Sequence, residues 1–187
     1  MDRFLNFAMF YMGWFACVLG AARGRLWLGP VVAGALLLVH LASTPARGRE
    51  ARLILLAGLF GFAVDTSQAS AGLFVFTGTS AASWLCPPWM IALWMLFAST
   101  LNGSMSWLAG RYGIGAVLGA ICGPASYLAG GRLGAIDLPD PRLWSLVGIS
   151  AAWAFAMPAL LVLRDLASRA PAERALPRPA HAVEPAK

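Results

Sequence analysis

Six apolar stretches, separated by short segments that hold most of the charged residues, constrain the fold of this chain more than any other feature. They cover residues 4–22, 26–42, 53–73, 88–108, 114–131 and 143–163. Most approach or exceed the ~18 to 20 residues with which a helix crosses a bilayer. Lipid offers the backbone no hydrogen-bond partners, and the alternation of membrane strands is missing, so helices are the expected structure. We predict an all-α, polytopic membrane helical bundle of about six transmembrane helices.

The composition supports a membrane protein. Of 187 residues, 59% are hydrophobic and 12% are charged, whereas soluble domains carry about 25% charged residues. We predict a transmembrane helical domain over residues 1–165. Residues 166–187 combine Arg, Glu, Ala and Pro without an apolar period, which predicts a disordered cytoplasmic tail.

The cations predict the orientation. The net charge is +6, and the arginines lie singly or in small groups between the apolar stretches. This distribution is typical of a membrane protein's connecting segments and not of a nucleic-acid-binding surface. With both termini in the cytoplasm, ten cations lie inside and four outside, as the positive-inside rule favours. The inside set is Arg3, Arg47, Arg49, Arg52, Arg111, Arg164, Arg169, Arg174, Arg178 and Lys187; the outside set is Arg23, Arg25, Arg132 and Arg142.

Asp65 is the residue least expected in lipid. It lies twelve residues into the third stretch, which is about 18 Å at a rise of ~1.5 Å per residue. An ionised carboxylate at that depth costs roughly 2.5 to 3.5 kcal/mol, so it should face protein or a water-filled cavity. Gly58, Gly61 and Gln68 share its helical face and would let another helix approach. Both a structural interhelical hydrogen bond and a functional site fit this position.

Other polar side chains fall at two depths and complete a candidate polar intramembrane site. Ser99 and Tyr127 lie near the level of Asp65, whereas His40 and Asn102 lie nearer the cytoplasmic face. The candidate site therefore comprises Asp65, Gln68, Ser99, Asn102, Tyr127 and His40.

The fifth stretch carries a helix-packing pattern. Gly115, Gly119 and Gly123 are spaced by four residues, which places them on one helical face as a groove for close contact with a neighbouring helix. Pro124 follows directly and should kink this helix.

Motifs for catalysis and metal binding are missing from the sequence. The cysteines Cys17, Cys86 and Cys122 are far apart and lack a neighbouring histidine, so we expect buried apolar residues and no metal site. The sequence contains no G-x-S-x-G, H-E-x-x-H or P-loop motif. We therefore expect no catalytic residues and no cofactor.

Four segments together resemble a known family. They are FYMGWFACVLGAA (10–22), GFAVDTSQ (61–68), CPPWMIALWMLFASTLNGSMSWL (86–108) and GAICGPASYLAGGRLGAI (119–136). Over about residues 4–165 the chain resembles the small bacterial inner-membrane proteins grouped as domain of unknown function 2878. The matching positions are Gly13, Trp14, Asp65, Pro88, Trp89, Trp94, Phe97, Thr100, Leu101, Asn102, Ser104, Trp107, Gly123, Pro124, Tyr127, Gly130 and Gly134.

The resemblance implies a location in the bacterial inner membrane but no activity. It also implies a link to enzymes that modify membrane fatty acids, which is an association and not a mechanism. Our leading interpretation is a non-catalytic inner-membrane protein that binds a lipid or a partner protein in a membrane-lipid or envelope process. One alternative is a small proton- or cation-linked transporter that uses Asp65. A second is an integral-membrane enzyme that modifies lipid.

Overall fold

The computed structural model describes residues 2–78 and 83–168. Within them the chain forms six α-helices, so the predicted all-α bundle is confirmed. The helices are α1 (Arg3–Ala22), α2 (Leu28–Ala42), α3 (Arg47–Ser70), α4 (Pro88–Leu101), α5 (Tyr112–Arg132) and α6 (Arg142–Ser168). A 3-10 helix (Ser106–Leu108) lies between α4 and α5. Strand β1 (Val75–Phe76) follows α3, and strand β2 (Ile136–Asp137) lies between α5 and α6; each has two residues.

The helices differ in length. In the described part of the chain, α1, α3, α5 and α6 are long and apolar enough to cross a membrane, whereas α2 and α4 have 15 and 14 residues. At ~1.5 Å per residue the two short helices are only about 21 to 23 Å long, less than the ~30 Å hydrocarbon core of a bilayer. The structure therefore contains four long candidate spans and two shorter apolar helices.

The helices alternate in direction, so the bundle has two ends. The starts of α1, α3 and α5 lie at what we call the Glu50 end, and the starts of α2, α4 and α6 lie at the Asp65 end. α4 is central, since it packs on α1, α2 and α3, while α5 packs mainly on α6. At the Asp65 end β1 and β2 pair antiparallel and bury Phe76 and Ile136.

Two helix boundaries differ from the predicted stretches. α3 begins at Arg47, six residues before residue 53, and so includes Glu50. α4 ends at Leu101, seven residues before residue 108, because Asn6 accepts hydrogen bonds from the backbone and side chain of Ser104 in the turn that follows. α6 continues to Ser168, and residues 169–187 of the predicted tail lie outside the described residues.

Candidate functional site

Asp65 lies in the interior of the bundle and accepts three side-chain hydrogen bonds. Trp94 Nε1 on α4 donates to Oδ2 at 2.8 Å, and Gln68 Nε2, one turn further along α3, donates to Oδ1 at 3.2 Å. Tyr127 Oη on α5 also donates to Oδ1. Asp65 is 0% exposed, and its three donors are 5% exposed or less. The carboxylate therefore acts as a shared acceptor for α3, α4 and α5. We call these four residues the Asp65 cluster.

Close contacts with α3 and α6 hold the Trp94 indole beside Asp65. Gly61 lies one turn before Asp65 on α3, and a Cβ there would overlap the indole of Trp94. On its other side Trp94 stacks on Trp153 of α6, with ring centroids 4.7 Å apart and planes 13° apart. Gly123 of α5 faces Trp153, since a Cβ at Gly123 would overlap that indole. Two stacked indoles thus fill the space between glycines of α3 and α5.

The glycine row of α5 faces α6 along its length. A Cβ at Gly115 would approach Leu161 Cδ1 to 2.9 Å, and one at Gly119 would overlap the carbonyl of Trp153. Gly115, Gly119 and Gly123 therefore make the close helix contact that their spacing predicts.

Pro124 lies inside α5 and cannot donate a hydrogen bond to the carbonyl of Ala120, four residues earlier. Ser150 Oγ of α6 donates to that carbonyl at 2.8 Å. A hydroxyl from the neighbouring helix therefore replaces the missing backbone donor, as membrane helices require when a proline interrupts them.

A second polar cluster lies at the Glu50 end. Glu50 Oε1 lies 2.9 Å from His40 Nε2 of α2, and Glu50 Oε2 accepts from Asn102 Nδ2 at 2.8 Å. Asn102 Oδ1 in turn accepts from Arg164 Nε of α6 at 2.7 Å. Glu50 and His40 are buried, whereas Asn102 is exposed. This Glu50 cluster joins the ends of four helices.

Sequence reasoning missed Glu50 and Arg164 as members of a site. Glu50 lies between the predicted stretches 26–42 and 53–73, because Arg47, Arg49 and Arg52 interrupt the apolar run around it. The available signal was its spacing, since Glu50, Ile54, Ala57, Gly61 and Asp65 recur at helical intervals and are all buried on α3.

Ser99 does not join the Asp65 cluster. Its hydroxyl donates to the carbonyl of Leu96 within α4 at 2.7 Å, and its own carbonyl accepts from Asn6 Nδ2 of α1 at 3.1 Å. Trp94, five residues earlier on α4, contacts Asp65 instead. The Ser99 side chain thus bonds within its own helix, and only its backbone carbonyl joins α4 to α1.

A lateral groove of about 370 Å³ adjoins the Asp65 cluster. Its walls are α1 and α5, and its floor is α4 with part of α6. The lining is rich in aromatic rings, which are Phe7, Phe10, Tyr11, Trp14, Trp89, Trp94, Phe97, Tyr127 and Trp153. Phe7, Tyr11 and Cys122 line the groove and are exposed, so it opens sideways between α1 and α5. Cys17 and Cys86 are buried as expected, but Cys122 is not.

The described residues include no group of three His, Cys, Asp or Glu side chains that could hold a metal ion. Chemically, the Asp65 cluster offers a fully hydrogen-bonded carboxylate, and the groove offers an apolar surface. Trp94 and Tyr127 belong to both, because each lines the groove and donates to Asp65.

Comparisons with known proteins give a family and no activity. No curated protein matches the chain, and no solved structure matches it. A family model described as protein of unknown function (DUF2878) matches residues 3–159. Those residues include all six sequence-selected polar positions and all of the glycine row. The chain belongs to the DUF2878 family.

Proposed function

We propose that this chain is a non-catalytic, multi-pass protein of the bacterial inner membrane that binds a lipid in the groove between α1 and α5. Four long apolar helices support the membrane location. The excess of cations in the segments assigned to the inside supports placing both termini in the cytoplasm. The binding role belongs to a membrane-lipid or envelope process.

The groove is the observation that carries the proposal. Its volume of about 370 Å³ lies in the ~300 to 1,000 Å³ range of small-molecule sites. Its opening faces outward from apolar helices, so lipid is the medium that meets it in a bilayer. A recess of this volume, floored by aromatic rings, suits a flexible chain that can enter from the side.

Asp65 has a structural role in this proposal. Its carboxylate is fully buried and receives three donors, which stabilises the ionised group away from water. It fixes Trp94 and Tyr127, whose rings form part of the groove surface. Asp65 therefore shapes the binding surface and does not contact the ligand.

The reactivity of Cys122 tests lipid binding. Cys122 is the exposed cysteine and lines the groove, so a bound lipid should slow its alkylation by a maleimide. We expect slower alkylation when delipidated protein receives an extract of bacterial membrane lipids. Ile121→Cys in a Cys122→Ala background is the matched control, because Ile121 is exposed on the same helix outside the groove lining. Equal slowing at both positions would count against a groove ligand.

The transporter alternative is supported by Tyr127, which links the groove to Asp65. The enzyme alternative likewise has a second titratable group, Tyr127, within hydrogen-bond reach of Asp65. Asp65→Asn separates both from the binding proposal, because it removes ionisation and keeps one oxygen that can accept from Tyr127 and Gln68, at the loss of the bond from Trp94 Nε1. We expect a folded variant that restores growth under membrane stress in a strain lacking the native copy. A folded variant that fails to restore growth would favour the transporter or the enzyme.

A further inference from the structure

We infer that the groove selects a neutral lipid, one without a charged headgroup, which lies across the middle of the bundle. This inference rests on the proposed function, because it names the chemical class of ligand for the same groove. Three features support it: the depth of the groove along the helices, the chemistry of its lining, and the position of the charged residues.

The groove lies midway along α1. Its lining on this helix runs from Phe7 to Val18, eleven residues apart, which is about 17 Å at ~1.5 Å per residue. Phe7 lies four residues after the start of α1 at Arg3, and Val18 lies four residues before its end at Ala22. The groove is therefore centred between the two ends of the helix. A phospholipid keeps its headgroup near the membrane surface, whereas a neutral lipid can occupy the middle of the bilayer.

Within residues 2–78 and 83–168, the lining contains no positive charge that would compensate a phosphate. Among the described residues, no Arg, Lys, His, Asp or Glu side chain lines the groove. Four of the polar lining residues donate within the protein, whereas the buried indole N–H groups of Trp89 and Trp153 have no hydrogen-bond partner among the described residues. Tyr127 and Trp94 donate to Asp65, Ser104 donates to Asn6, and Thr100 donates to the carbonyl of Phe97.

The residues that line both ends of the groove are uncharged. Ile136 of β2 lies at the Asp65 end, and Met105, in the turn after α4, lies at the Glu50 end. Among the described residues, the lining near the Glu50 end includes the hydroxyls of Thr100 and Ser104, and the lining includes no arginine at either end. An ionised group at membrane depth is costly, so this uncharged lining disfavours a charged ligand and accepts an uncharged one. The lateral opening beside Cys122 is the route of entry.

Two probes that share one apolar chain and differ in a charged phosphate group test the inference. Geranylgeraniol and geranylgeranyl phosphate share one isoprenoid chain, and each is titrated against delipidated protein in detergent while Cys122 alkylation is measured. We expect the alcohol to slow alkylation at a concentration about tenfold lower than the phosphate, since the phosphate would carry its charge into the groove. Leu118→Trp, which fills the groove, should abolish this protection. Val117→Trp, on the neighbouring exposed position of α5, should retain it.

The outcomes separate this inference from the proposed function. Equal or stronger protection by the phosphate overturns the neutral-lipid inference and leaves lipid binding intact. Protection that persists in Leu118→Trp places the probe outside the groove and also overturns the inference. If neither probe protects Cys122 while membrane lipid extract does, the inference fails alone. If the extract also fails, the proposed function fails with it.

Discussion

At the scale of single residues, the hydrogen bonds of Asp65 explain why a carboxylate lies within an apolar helix. It lies eighteen residues after the start of α3, about 27 Å at ~1.5 Å per residue, with no exposed surface. Donors from α4 and α5 meet it there. Because each donor belongs to a ring that lines the groove, the carboxylate fixes the shape of the groove as well as the contact between helices.

Tyr127→Phe tests this role. It removes the hydroxyl donor to Asp65 and keeps the ring, so we expect a loss of about 0.5 to 2 kcal/mol in the free energy of unfolding. Tyr11→Phe is the control, because Tyr11 lines the same groove but its side chain is exposed. SDS-induced unfolding in mixed micelles measures both variants. Equal stability of the two would mean that the Tyr127 hydrogen bond contributes nothing.

Part of the Asp65 cluster follows from the sequence. Asp65 and Gln68 are three residues apart and share a helical face, and depth places Tyr127 at a similar level. The contact of Trp94 with Asp65 does not follow, because the rotation of α4 about its axis depends on its contacts with α1, α2 and α3. Ser99 was misplaced for the same reason. The available signal at Trp94 was its indole N–H, which needs an acceptor when it is buried.

At the scale of helices, stacked indoles and glycines set the distances between elements. Gly61 of α3 and Gly123 of α5 lie on opposite sides of the Trp94–Trp153 stack. We expect Gly61→Ala and Gly123→Ala each to lower the free energy of unfolding by about 1 to 3 kcal/mol, because an added methyl group forces a fixed indole to shift.

Gly34→Ala provides the matched control for these substitutions. Gly34 lies within α2, and an added Cβ there has nothing within 4 Å. Since alanine favours a helix over glycine by up to about 1 kcal/mol, this variant should be as stable as the native chain or more stable. Unfolding in the same micelles measures all three. A similar loss of unfolding free energy in all three variants would show that the glycines matter for backbone flexibility and not for their contact with tryptophan.

The contact of Ser150 with the Ala120 carbonyl gives a sharper prediction for α5 and α6. Ser150→Ala leaves that carbonyl without a donor, so we expect a cost of about 1 kcal/mol. In a Pro124→Ala background, residue 124 regains its N–H and can bond Ala120, so the same substitution should cost less. A double-mutant cycle measures the difference. Equal costs in both backgrounds would refute the compensation.

The helix boundaries show what hydropathy alone can locate. All six helices were predicted, because their interiors are long and mostly apolar. The start of α3 was missed because its first turns carry Arg47, Arg49, Glu50 and Arg52. These residues end an apolar stretch without ending a helix. The end of α4 was also misplaced, since apolar residues continue past it and the turn depends on Asn6, distant in sequence.

At the scale of the whole molecule, two polar clusters hold the helices together at different levels, and the groove lies beside the central helix. The Glu50 cluster joins α2, α3, α6 and the turn after α4 at one end. The Asp65 cluster joins α3, α4 and α5 nearer the other. Neither cluster includes a residue of α1, and the groove lies between α1 and α5.

The central claim is that this groove holds a lipid, and native mass spectrometry of protein purified gently from bacterial membranes tests it most directly. The native chain and Val117→Trp should each retain a bound lipid of one defined mass. Leu118→Trp should lose it while keeping the native unfolding transition. Retention of the same lipid by folded Leu118→Trp, or no retained lipid in the native chain, would contradict the account.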